Sequence, residues 1–83
     1  MKLLITGGAG FIGSNFIRYW FKKFEKSKVI NIDKLTYAGD NEPLNKLKIK
    51  YKYEFVKLDI SNTNLIEEIL SKYKPDFVIH FAA

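Results

Sequence analysis

Four of the chain's five glycines fall within seven residues, in the run Thr6-Gly7-Gly8-Ala9-Gly10-Phe11-Ile12-Gly13. Without a Cβ, such a run can turn the chain tightly and let bare backbone approach a ligand. Its flanks decide what it is for. Residues 2–6 (KLLIT) are a short apolar run that reads as a buried strand. Over 11–24, Phe11, Ile12, Phe16, Ile17, Trp20, Phe21 and Phe24 recur at helical spacing, which predicts an amphipathic helix with Trp20 in the core stripe. A helix starting near Gly10 aims unbonded N–H groups and the positive end of its dipole at whatever lies over the turn, which suits phosphate. Two spacings fit. Gly8, Gly10 and Gly13 make G-x-G-x-x-G, while Gly7, Gly10 and Gly13 make G-x-x-G-x-x-G.

The rest of the chain supplies the context such a turn needs. Residues 28–32 (KVINI) read as a second strand ending at Asp33, twenty residues past Gly13. That is where a dinucleotide fold places the acid that accepts hydrogen bonds from the adenosine ribose. An acid there repels a 2′-phosphate and favours NAD over NADP. Residues 36–41 read as a loop, and Pro43 suits the first turn of a short helix running to about Leu47. Residues 53–58 form a third strand. Ser61 is the expected N-cap of a helix through Lys72, with Leu65, Ile66, Ile69, Leu70 and Tyr73 on its inner face. Residues 77–81 form a fourth strand. Strand–helix alternation means parallel strands with right-handed crossovers. The expected fold is therefore an α/β, Rossmann-type parallel sheet in the order 3-2-1-4, read as truncated after the fourth strand. The 83 residues are expected to be the N-terminal part of one NAD-binding domain.

Composition excludes several alternatives. With no Cys and one His, a disulfide scaffold, a thiol nucleophile and a thiolate or His-cluster metal site are all excluded, so no metal is expected. No apolar run approaches a membrane span, and residues 1–5 are too short for a signal peptide. No membrane association and a cytoplasmic location are expected. The net charge of +5 invites a nucleic-acid reading, but the 14 basic residues include only Arg18 as arginine and are spread along the chain. No nucleic-acid partner is expected. No Gly-Lys-Ser or Gly-Lys-Thr follows the glycines, which excludes a P-loop. An S-adenosylmethionine site remains open as a rival to a dinucleotide.

At this level the run 6–15 resembles the opening of the extended short-chain dehydrogenase/reductase family. The block Asn31-Ile32-Asp33-Lys34-Leu35-Thr36-Tyr37-Ala38-Gly39 resembles, within it, the nucleotide-sugar 4,6-dehydratases. Asp59-Ile60 and His80-Phe81-Ala82-Ala83 complete the pattern; Asp40 stands where the family more often has Asn. The resemblance implies NAD as cofactor, a nucleotide sugar as substrate and a homodimer. It also implies an internal redox elimination: the C4 hydroxyl is oxidised, water leaves across C5–C6, and hydride returns to C6. Phe11 and Ile12, beside Gly7, Gly10 and Gly13, would offer backbone N–H groups to the pyrophosphate. Asp33, Lys34, Leu35 and Thr36 would line the adenosine ribose, Asp59 and Ile60 the adenine edge. Phe81, Ala82 and Ala83 would run toward the nicotinamide. Core packing stays open for Ile60 and Phe81, and a helix cap for Asp59. An NAD-dependent nucleotide-sugar epimerase and a non-catalytic dinucleotide-binding module remain alternatives.

The family's catalytic Tyr-x-x-x-Lys is expected beyond residue 83, so no catalytic residue is assigned here. Tyr19–Lys23 and Tyr53–Lys57 match that spacing by accident, the first on the helix behind the turn and the second along a strand. His80 reads as structural. Lys46, Lys48, Lys50 and Lys52 alternate with Leu47, Ile49, Tyr51 and Tyr53, expected as a charged guard on an edge strand.

Overall fold

The computed structural model describes residues 1–34, 44 and 46–81. The expected loop at 36–41 and the Pro43 helix start lie outside these residues. Four parallel strands form one sheet in the order β3-β2-β1-β4, with β1 at Lys2–Thr6, β2 at Lys28–Asp33, β3 at Lys52–Lys57 and β4 at Phe77–His80. Helix α1 covers Phe11–Lys23, α2 is a single turn at Leu47–Lys50, and α3 covers Thr63–Tyr73. The expected Rossmann-type order is the observed one.

The central strands bury both faces. Leu3 and Ile5 of β1 stand beside Val29 and Asn31 of β2, and this face packs with Ile17 and Phe21 of α1, Leu44 and Tyr53. Leu4, Ile30 and Ile32 point the other way and are equally buried. Burial of each such side chain contributes ~1.5–3 kcal/mol. The second face belongs to α3. Strand order reverses between β3 and β4, so a right-handed crossover carries α3 to the side opposite α1. Lys2 and Lys28, which share that face with Leu4 and Ile30, both reach Tyr73 at the end of α3. Lys2 Nζ donates to the Tyr73 carbonyl at 2.6 Å, and Lys28 Nζ lies 5.2 Å from its ring centre.

Several local expectations need correction. The apolar stripe of α1 buries Ile17 and Phe21 and half-buries Phe16 and Trp20, whose Nε1 donates to Ser27 Oγ at 2.8 Å. Phe11 and Ile12 are instead 83% and 71% exposed, because the first turn of α1 projects past the end of β1. Asn62, not Ser61, caps α3: its side chain accepts from Leu65 N at 3.3 Å, while the Ser61 N–H donates to Asp59 Oδ1 at 2.9 Å. Of the expected inner face of α3 only Tyr73 is buried. Residues 46–50 are not extended. The Tyr51 N–H donates to the Leu47 carbonyl at 2.7 Å and closes a helical turn, so Lys46, Lys48 and Lys50 do not line an edge strand. Lys52 and Lys57, exposed at the two ends of β3, do occupy that edge.

Candidate cofactor site

The glycine turn is stitched to β2 through consecutive amides. Gly7, at φ 74°, takes the left-handed conformation that favours glycine, and its N–H donates to the Ile32 carbonyl at 2.8 Å. The Gly8 N–H donates to Asn31 Oδ1 at 2.9 Å, and the Ala9 N–H to Asp33 Oδ2 at 3.1 Å. Gly10 then starts the helix, its carbonyl accepting the first helical bond from Ser14 N at 2.8 Å. The N–H groups of Phe11, Ile12 and Gly13 precede that bond and face out of the helix end. No acidic side chain occupies this first turn.

This geometry decides which amides of the turn stay open. Gly7 and Gly8 both spend their amides inside the fold, on Ile32 and Asn31, so the amides left open at the turn are those of Phe11, Ile12 and Gly13. A Cβ on Gly13 would lie 2.7 Å from the Gly7 carbonyl oxygen and 2.7 Å from Gly8 Cα. Gly13 therefore lets α1 sit on the turn itself. A Cβ on Gly10 would meet only the Gly7 oxygen, at 3.6 Å, so the space over Gly10 is open to a ligand.

Because all four strands are parallel, the remaining described candidates gather at the same carboxyl rim. Asp33 ends β2, nearly buried, with one carboxylate oxygen held by Ala9 and its carbonyl accepting from Leu58 N at 3.1 Å. Exposed Lys34 follows it. Asp59 sits just past β3. The Ser61 backbone N–H and then the Ser61 side chain hold its carboxyl below the usual aspartate range, with a further contribution from the Lys34 charge. Asp59 thus organises the turn before α3 while standing at the rim, and Ile60 beside it is half-buried. Phe81 donates its N–H to the Thr6 carbonyl at 2.7 Å and rests its ring 5.5 Å from that of Phe16, so it packs against the core. Leu35, Thr36, Ala82 and Ala83 lie outside the described residues.

Tyr19 is exposed, with Lys23 Nζ 5.6 Å from its ring centre on the outer face of α1. Tyr53 is buried and its hydroxyl accepts from Asn31 Nδ2 at 3.1 Å, while Lys57 is exposed. Neither pair faces the open turn. His80 Nδ1 and Thr6 Oγ1 form a hydrogen bond between paired residues of β4 and β1. The sequence reading missed Asn31. The signal was a lone amide inside the apolar run KVINID, two residues before Asp33 and so on the same strand face.

Open amides at a helix N-terminus, clearance over Gly10 and an acid at the end of β2 fit a dinucleotide: pyrophosphate on the turn, ribose at Asp33. Among the described residues no cluster of His, Cys, Asp and Glu could hold a metal ion, and no helix is long and apolar enough to cross a membrane.

Comparison with known proteins agrees with that fit. The dTDP-glucose 4,6-dehydratase of Haemophilus influenzae is 49% identical over the full length of this chain, which spans 24% of that protein. The crystal structure of the Bacillus anthracis dTDP-glucose 4,6-dehydratase in complex with NAD superposes with a TM-score of 0.89 at 41% identity, over 100% of this chain and 27% of that one. The UDP-glucose 4-epimerase of Thermotoga maritima, solved with UDP-glucose, gives a TM-score of 0.80 at 35% identity, over 100% of this chain and 24% of that one. The chain thus spans about a quarter of the length of the relatives it matches. The family model described as GDP-mannose 4,6 dehydratase matches residues 4–83, and the chain belongs to that family.

Proposed function

We propose that this chain is the N-terminal, NAD-binding part of a dTDP-glucose 4,6-dehydratase. The observation that carries the reading is the glycine turn, with the amides of Phe11, Ile12 and Gly13 open above Gly10 and Asp33 held beside them by Ala9. The turn receives the pyrophosphate, and Asp33 takes the adenosine ribose hydroxyls. Lys34, Leu35 and Thr36 are assigned to the same ribose, Asp59 and Ile60 to the adenine edge, and Phe81, Ala82 and Ala83 to the path toward the nicotinamide. When bound, NAD supplies the hydride acceptor, and later the hydride donor, for elimination of water from the sugar. This chain's residues bind and orient; the proton transfers at C4, C5 and C6 belong to groups outside it. A cytoplasmic homodimer acting on a nucleotide sugar, without nucleic-acid or membrane partners, completes the reading.

The test uses the full-length product of the gene that encodes this chain. NAD is expected to bind in preference to NADP, and Asp33→Ala to narrow that preference. Gly10→Val is expected to nearly abolish binding, since its side chain fills the space over the turn. Equal or better affinity for NADP overturns the role of Asp33. Conversion of dTDP-glucose to its 4-keto-6-deoxy form supports the dehydratase. NAD binding with C4 epimerisation of a nucleotide sugar instead moves the protein to the epimerases, in keeping with the Thermotoga maritima likeness.

A further inference from the structure

Asn31 lies fully buried between Ile30 and Ile32, opposite Ile5 on one side and Phe55 on the other. A buried amide is costly unless it is hydrogen-bonded, and this one has a partner at each end. Its Oδ1 accepts from the Gly8 N–H at 2.9 Å, and its Nδ2 donates to Tyr53 Oη at 3.1 Å. The orientation is unambiguous, because a backbone N–H can only donate and the atom facing Gly8 must be the oxygen. The fit leaves no slack. A Cβ on Gly8 would fall 2.4 Å from Asn31 Oδ1 and 2.8 Å from Ile17 Cδ1.

We propose that Asn31 is a positioning residue of the dinucleotide site. By taking the Gly8 amide, it turns that donor inward and fixes the turn so that the amides of Phe11, Ile12 and Gly13 are the ones presented to the pyrophosphate. Tyr53 keeps the Asn31 amide from rotating. An apolar side chain at 31 leaves the Gly8 N–H buried without an acceptor, so the turn must shift to find one. The inference rests on the dinucleotide reading above.

The experiment compares Asn31→Leu, Tyr53→Phe and Val29→Ala in the full-length protein. Val29→Ala empties core at the opposite end of β2 and reports destabilisation alone. NAD affinity is measured well below the melting temperature of every variant, and hydrogen exchange of the Gly8 amide is measured without ligand. Asn31→Leu is expected to weaken NAD binding about tenfold, the loss of roughly one hydrogen bond's worth of positioning. It also exposes the Gly8 amide to exchange. Tyr53→Phe weakens binding about twofold, and Val29→Ala melts lower yet binds as the wild type does. Should Asn31→Leu fail to fold, Asn31→Thr carries the same expectation, since its hydroxyl stays polar but stops short of Gly8. Affinity loss in Asn31→Leu no greater than in Val29→Ala, or fast Gly8 exchange in the unliganded wild type, overturns the proposal. A wild type that binds no NAD overturns the proposed function itself, and the positioning role with it.

Discussion

The β1–α1–β2 half of the molecule and the β3–α3–β4 half use the same kinds of element, yet they bury them very differently. β1 and β2 are buried from their second residue onward, and Ile5, Ile17, Phe21, Val29, Ile30 and Ile32 have no exposed surface. β4 leaves Phe77 and Val78 more than half exposed, and α3 leaves Leu65 and Leu70 more than a third exposed. Sequence hydrophobicity does not separate the two halves; position in the sheet does. A central strand is covered by neighbours on both sides and by layers on both faces, whereas an edge strand is not. The candidate site takes its rigid parts from the covered half. The turn's amides are fastened to Ile32, Asn31 and Asp33 of β2, while β3 and β4 supply the rim residues Asp59 and Phe81.

The largest test of this contrast compares truncations in the two halves, read by denaturant or thermal unfolding of this 83-residue chain. Ile30→Ala is expected to cost about 4 kcal/mol, because it opens a cavity in the fully buried face. Val78→Ala, already more than half exposed, is expected to cost under about 1 kcal/mol. Similar losses at the two positions would erase the distinction between the halves.

Within the covered half, the glycines give a second contrast. Gly8→Ala drives a methyl group into Asn31 and Ile17 and is expected to cost about 3 kcal/mol. Gly10→Ala, at φ −72° with open space beside it, is expected to cost under about 1 kcal/mol of stability. If Gly10→Ala melts like Gly8→Ala, the space over the turn is not open.

Smaller effects probe the looser half. Asn62→Ala removes the cap of α3 and is expected to cost about 1 kcal/mol, while Ser61→Ala leaves that cap in place and costs less. Lys74 ends α3 in the left-handed conformation at φ 47°, with its N–H donating to the Leu70 carbonyl at 2.9 Å. Lys74→Gly is expected to stabilise by about 0.5–1 kcal/mol, since glycine adopts that conformation without a Cβ penalty. A lower melting temperature for Lys74→Gly would contradict that conformation.

The smallest expected effect is in the pH dependence at Asp59. Its carboxyl is held low, first by the Ser61 backbone N–H, so folding favours the ionised form. That stabilisation is complete above the ordinary aspartate value of about 3.9 and is lost as pH falls through the lowered folded value. Asp59→Asn is therefore expected to flatten the fall in melting temperature below about pH 4. An unchanged acid limb would remove Asp59 from the turn's energetics.

Much of this was legible in the residues themselves. Strand and helix periodicity placed every long element to within two residues, because side chains alternate along a strand and recur every turn along a helix. The glycine run, the helix after it and Asp33 at the end of the next strand marked the site, since backbone approach to phosphate needs those residue types in that order. Tertiary structure decided what local pattern cannot encode. The apolar stripes of α1 and α3 look alike in sequence, but α1 buries Ile17 and Phe21 of its stripe whereas α3 buries only Tyr73. Ser61 and Asn62 are both good caps, and Asp59 settled the choice by taking the Ser61 amide. Which amides of the glycine turn stay open was decided across the fold, where Asn31, twenty-three residues from Gly8 along the chain, claims the Gly8 amide. Such a contact depends on the register of β1 against β2, and that register exists only once the sheet has formed.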